Sequence, residues 1–213
     1  MANQPIYFQQ LELGPMQNYV YLIGDPASHE AVVVDPGWEI PRVLETLARD
    51  GYRLTAAIAT HHHFDHVMGL PELLQALPVP VYVHAADAAE LGGVKAHLKP
   101  VTDGAPVRIG TLEAKLLHTP GHTPGSQCLL VDGRLLTGDT LFIGACGRWD
   151  LPGGDPVQLH VSLTQRLAAL PEETVVYPGH NYAPQPSSTI GEQRRTNPFM
   201  RFDSVEAFLR MAG

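Results

Sequence analysis

No stretch of the 213-residue chain approaches the roughly 18 consecutive apolar residues of a membrane-spanning helix. The N-terminus, Met1-Ala2-Asn3-Gln4-Pro5, has neither a basic flank nor an apolar run, so it offers no secretory signal. Cysteine is scarce. Cys128 and Cys146 are too few for a disulfide scaffold and fit a reducing, cytoplasmic setting. Positive charge is in the minority, with 14 Lys and Arg against 22 Asp and Glu, and the net charge of −8 disfavours nucleic acid or an anionic membrane as partner. Linkers, low-complexity tracts and internal repeats are also missing, so residues 1–213 read as one domain. With 44% hydrophobic and 17% charged residues, the chain has the composition of a globular protein with a sizeable core. Nothing in the composition fixes an oligomeric state. What the chain has in quantity is histidine, eleven of them.

Hydrophobic patterning predicts strands at Ile6–Leu13, Tyr19–Gly24 and Ala31–Asp35, separated by Gly-Pro and Asp-Pro turns. A helix over Glu39–Asp50 follows, with Ile40, Val43, Leu44 and Leu47 on one face and Gly51 as its stop. Leu54–Thr60 and Pro80–His84 read as strands, and Leu70–Ala76 and Ala85–Leu91 as helices. The second half repeats the theme. Strands are expected at Thr111–His118, Gln127–Val131, Arg134–Thr137 and Thr174–Tyr177, with helices at Pro156–Leu170, Glu192–Arg195 and Val205–Met211. Two halves of strands covered by helices imply an α/β architecture.

The informative segment is Thr60-His61-His62-His63-Phe64-Asp65-His66, directly after a predicted strand. At this composition His-x-His-x-Asp-His arises by chance in roughly one chain in a thousand, which speaks against an ordinary solvated loop. Imidazole and carboxylate are the ligands that zinc and iron accept. Three more strand ends carry such a group beside glycine: Pro120-Gly121-His122, Gly138-Asp139 and Pro178-Gly179-His180. Together the four segments point to a metal site. His29, His62, His84, His97, His118 and His160 lack such context and read as surface or hydrogen-bonded side chains. Cys146 reads as a small buried residue rather than a reactive thiol.

These motifs resemble the metallo-β-lactamase superfamily, and within it the glyoxalase II (hydroxyacylglutathione hydrolase) group and the related persulfide dioxygenases. The resemblance runs from His61 to Asn197-Pro198-Phe199-Met200 and implies an αββα sandwich of two mixed sheets flanked by helices. It implies two divalent metal ions, zinc first, with iron or manganese as alternatives. One would be held by His61, His63 and His122, the other by Asp65, His66 and His180, with Asp139 bridging. Seven side chains do not saturate two metals, and open positions mark a catalytic centre rather than a structural or storage site. Asp65 and Asp139 would serve catalysis, and Arg148 and Tyr182 match family positions that contact substrate.

The resemblance implies hydrolysis of a small thioester, such as an acyl-glutathione, by a metal-bridging hydroxide. The alternative is a persulfide dioxygenase with a single Fe(II) on His61, His122 and Asp139 acting on glutathione persulfide, and lactone hydrolysis is a third option. Cys146-Gly147-Arg148 and Asp150 resemble the dioxygenases as well, although Ala145 and Trp149 replace their usual Gly and Thr. Asp150 stands where glyoxalase II usually has a glutathione-contacting tyrosine. The chain also lacks most of that group's C-terminal helical extension, so no separate C-terminal helical domain is expected. An acid at 139 argues against the zinc β-lactamases, which generally carry Cys there.

Overall fold

A computed structural model describes residues 5–210. In chain order the elements are β1 (Tyr7–Leu13), β2 (Asn18–Asp25), β3 (Glu30–Val34), α1 (Ile40–Asp50), β4 (Arg53–Ile58), α2 (Phe64–Val67), α3 (Leu70–Ala76) and β5 (Val81–His84). A 3₁₀ segment (Ala88–His97) leads into β6 (Leu98–Val101), β7 (Pro106–Ile109), β8 (Leu112–His118), β9 (Gln127–Val131) and β10 (Arg134–Gly138). Then come β11 (Leu141–Phe142), β12 (Ala145–Cys146), α4 (Pro156–Val161), β13 (Val175–Pro178), β14 (Ser188–Thr189), α5 (Ile190–Thr196) and α6 (Val205–Arg210).

The strands form two mixed six-stranded sheets, β1-β2-β3-β4-β5-β6 and β14-β13-β10-β9-β8-β7, plus the small β11-β12 ribbon. In the first sheet β3, β4, β5 and β6 run parallel; in the second only β10 and β13 do. The period-2 alternation of strand side chains sorts the core into layers. From β2, Tyr19, Tyr21 and Ile23 pack between the sheets with Val32, Val34, Ile58, Leu116, Leu129 and Leu136. Val20 and Leu22 point the other way, into the layer formed with α1 and α3 through Ile40, Val43, Leu47, Leu70 and Leu73. On the far side Leu117, Cys128, Leu135 and Val176 pack against Leu159, Leu163 and Phe208. Every residue of β2 is buried because both its faces are covered. The result is helix, sheet, sheet, helix, with each buried Leu, Ile or Val contributing about 1.5–3 kcal/mol.

The expected helix over Pro156–Leu170 is α4 continued by a wider π turn, Ser162–Leu167, in which the Ala168 N–H reaches back five residues to Leu163. The expected helix over Ala85–Leu91 is instead the 3₁₀ segment, broken at Leu91 and Val94. Strands β6, β11, β12 and β14 are short and carry no periodic signal, and β7 alternates over only four residues. Met211, in the last expected helix, lies outside the described residues. No described helix is long and apolar enough to cross a membrane.

Asp25, at the end of β2, ties the two sheets together. Its buried carboxylate accepts from Thr111 N–H (2.7 Å), Thr111 Oγ1 (2.9 Å) and Ala27 N–H (2.9 Å). The Thr111 backbone bond leads in holding its pKa down to about 2 from 3.8, against the effect of burial. A pKa depressed on folding adds stability above about pH 4, lost as pH falls toward 2. Asp25→Ala is therefore expected to cost about 1–3 kcal/mol at pH 7 and to lose part of the acid dependence in urea unfolding. Unchanged midpoints at pH 7 would contradict the tie.

Candidate metal centre

The seven residues singled out by motif converge at one end of the sandwich. His61 follows β4, and a short loop delivers His63, Asp65 and His66 through the single turn of α2. His122 sits in the β8–β9 loop, Asp139 directly follows β10, and His180 lies two residues beyond β13. β4 belongs to the parallel part of the first sheet, and β10 and β13 are the parallel pair of the second. The carboxyl ends of parallel strands thus point their loops into the same crevice.

Two glycines make the convergence sterically feasible. Gly138 has φ +47°, and a Cβ there would come within 2.3 Å of Thr60 Oγ1. A Cβ on Gly179 would come within 2.4 Å of the Asp139 carboxylate.

His61, His63 and His122 form one group, and Asp65, His66 and His180 another, each with ligand atoms within 4.8 Å of one another. His63 Nδ1 lies 2.9 Å from His122 Nε2, and His66 Nε2 lies 3.2 Å from His180 Nε2. Asp139 spans the groups: Oδ2 is 3.6 Å from His122 Nε2 and 3.4 Å from His180 Nε2, and Oδ1 is 3.3 Å from His66 Nε2.

The outward ring nitrogens show which atoms face inward to bind. His122 Nδ1 donates to the Arg148 carbonyl (2.6 Å) and His180 Nδ1 to the Met16 carbonyl (2.9 Å). A carbonyl only accepts, so both Nδ1 atoms carry hydrogen and both Nε2 atoms turn inward to take a proton or a metal. His66 Nδ1 is held by Asp35 Oδ2 at 2.9 Å. His61 Nε2 is buried without a hydrogen-bond partner, at a cost of about 1–3 kcal/mol, and Asp139 Oδ1 has only the 3.3 Å approach of His66 Nε2. A cation would satisfy both, so the donor set fits a metal centre of imidazole and carboxylate ligands.

The electrostatics agree. Burial pushes the His61 pKa well down and that of His63 down to about 4, so both are neutral and ligand-ready. Burial also opposes charge on His66 and His180, yet Asp139 outweighs it, joined by Asp35 for His66 and Asp65 for His180. The result is a pKa well up for His66 and raised to about 9 for His180. In the opposite sense the histidines hold Asp139 well below the usual carboxylate range, and Asp65 at about 2, despite burial. The carboxylates demand positive charge, which protons on His66 and His180 supply when no metal does.

Three supporting residues carry no sequence motif. Asp35, at φ +53°, accepts from Thr60 N–H and Thr60 Oγ1 (both 2.7 Å) as well as holding His66. Asn18 donates to Asp65 Oδ2 at 2.8 Å and is itself fixed by Trp38 Nε1. Asp87, fully buried, accepts from His62 N–H (3.0 Å), Thr123 Oγ1 (2.7 Å) and Gly125 N–H (2.6 Å), and so couples the His61–His66 loop to the His122 loop. His62 turns its ring to Asp87, 2.9 Å away. His84 and His118 stack on each other, and His160 bonds Phe202, away from the cluster. Cys146 is half-buried rather than buried, and desolvation pushes its thiol up to about 12, away from thiolate character.

Arg148 and Tyr182 both line the cavity of about 450 Å³ that opens onto His63, Asp65, His122, Asp139 and His180. Tyr182 stacks on His180 at 4.6 Å between ring centroids. Arg148 is already occupied: Nε and Nη2 each donate to Asp150, both at 2.9 Å.

The profile of the metallo-beta-lactamase superfamily matches residues 13–180. The hydroxyacylglutathione hydrolase of Alkalilimnicola ehrlichii is 46% identical over 165 residues, which are 78% of this chain but only 62% of that enzyme. The human mitochondrial persulfide dioxygenase ETHE1 is 34% identical over 215 residues, 100% of this chain and 82% of that protein. The crystal structure of ETHE1 from Myxococcus xanthus superposes with a TM-score of 0.89 at 37% identity, covering 96% of this chain and 89% of that one. Fold, strand-end ligand set and relatives agree, and the chain belongs to the metallo-β-lactamase superfamily.

Proposed function

We propose that the protein is a two-metal thioester hydrolase of the glyoxalase II type, acting on a small thioester such as an acyl-glutathione. The observation that carries this reading is the second ligand group. Asp65, His66 and His180 are buried, mutually within ligand distance and braced from behind by Asn18, Asp35 and the Met16 carbonyl. His61, His63 and His122 would hold one metal, Asp65, His66 and His180 the other, and Asp139 would bridge. Zinc suits the donor set, and iron or manganese are alternatives. When bound, such a centre supplies an acidified water at neutral pH and polarises a carbonyl.

The chain's own residues supply the rest. Asp139 orients the ligand ring from both sides, the carbonyls of Arg148 and Met16 fix the imidazole tautomers, and the cavity over the ring leaves room for substrate. Arg148 lines that cavity, and with Nε and Nη2 held by Asp150 it would meet a glutathione carboxylate through Nη1. Tyr182 lies beside His180, where a substrate would pass.

The competing reading is a persulfide dioxygenase with one iron on His61, His122 and Asp139. It is supported by the extent of the ETHE1 match and by Asp150, which resembles that group. Thiol release from an acyl-glutathione, followed beside oxygen consumption on glutathione persulfide, separates the two. The proposal expects the first without the second; oxygen uptake with inert thioesters would overturn it.

Asp87 provides a further check. Asp87→Ala uncouples the two loops that bear His61, His63 and His122. Loss of such a supporting contact is expected to weaken metal binding there about 10- to 100-fold, read as metal retained after dialysis against a chelator. Retention equal to the wild type would refute the coupling.

A further inference from the structure

The cavity over the ligand ring has an apolar mouth. Met16 arrives from the β1–β2 turn, Phe64 from the first position of α2 and Tyr182 from the loop beyond β13, and they are 38%, 60% and 57% exposed. All three line this cavity, and Phe142, Leu151 and Pro152 extend the same wall. Exposed large apolar side chains normally scatter singly over a soluble surface. Gathered around one concave site they mark a ligand contact.

Charge is matched on the same wall. Arg148 is the one Lys or Arg among the described lining residues, and Asp150 neutralises its charge by accepting from Nε and Nη2. Outside the ligand ring the wall therefore offers an incoming group apolar surface and a neutralised ion pair. Phe64 lines the same cavity as its chain neighbours His63 and Asp65, so a group lying on it shares the cavity with the ligand ring.

We infer that the acyl group of the substrate is an apolar chain lying on Met16, Phe64 and Tyr182, and that Phe64 sets the preferred chain length. This rests on the thioester-hydrolase reading and adds the substrate class to it. Each methylene laid on this wall is expected to raise kcat/KM about two- to fourfold, the upper value being full burial.

The test uses metal-loaded full-length protein with acetyl, butyryl, hexanoyl and octanoyl thioesters of one neutral thiol, N-acetylcysteamine. The expected result is a kcat/KM that climbs at least about tenfold from acetyl to hexanoyl. Phe64→Ala should cut the hexanoyl-to-acetyl ratio at least about fivefold, and Phe64→Leu, still apolar, should keep most of it. Because the readout is a ratio within one protein sample, partial loss of folded protein does not affect it. Hydrolysis with no chain-length dependence, or a ratio unchanged in Phe64→Ala, overturns the inference while leaving the hydrolase reading intact. If no thioester of any length is cleaved while glutathione persulfide consumes oxygen, the hydrolase reading fails and this inference falls with it.

Discussion

Asp139→Ala is expected to lower turnover by at least about a hundredfold while leaving the fold in place. Loss of a supporting contact behind a metal ligand already costs about 10- to 100-fold. Asp139 is closer than that, since its carboxylate lies 3.3–3.6 Å from His66, His122 and His180 at once. Asp35 also approaches one member of each group, His61 and His66, but its oxygens are taken by Thr60 and by His66 Nδ1. The fold should survive because the residue sits in a loop at the end of β10, outside the three apolar layers. Asp139 pairs with His66 and His180 and its pKa is held down by them, so the metal-free variant should stay folded but melt at a lower temperature at pH 7. Steady-state kinetics with metal content measured on the same sample checks this. Near-normal turnover would show that Asp139 bridges nothing.

Asp65→Ala separates the two enzyme readings by its size. Asp65 belongs to the second group alone and lies 3.4 Å from both His66 and His180. A two-metal hydrolase should lose the second metal and about a hundredfold or more in kcat, by the same reasoning as for Asp139. A single-iron enzyme built on His61, His122 and Asp139 should keep most of its rate. Metal per chain and kcat therefore fall together under the hydrolase account. A variant that keeps its activity with one metal would support the dioxygenase instead.

The ring of seven was legible because each member occupies a strand end, next to a glycine or inside a dense histidine motif. Those are local signals, and periodicity locates strand ends well. The supporting residues were not legible for a physical reason. Asp35 reads as an ordinary turn acid in Val34-Asp35-Pro36-Gly37, and Asp87 as a polar residue at a helix start. Their importance comes from the chain crossing that brings β3 beside Thr60 and His66, and the 3₁₀ segment beneath Thr123 and Gly125. The Arg148–Asp150 pair was visible as two letters, but only the structure shows that the two side chains form an ion pair. That contact changes what the wall offers to a substrate. In the fold, patterning gave an α/β architecture and the buried stripe of α1, while the four-layer sandwich was expected from the family resemblance. The two-residue strands β11, β12 and β14 are shorter than any periodic pattern, and the π turn after α4 buries Leu163 and Leu167 against the second sheet without a sequence signal of its own.

The most direct test of a two-metal hydrolase is to follow thiol release from an acyl-thioester while metal-free protein is titrated with zinc. Full activity should be reached only at about two equivalents per chain, with little at the first. Full activity at one equivalent, or no thiol release at any ratio, would contradict the account.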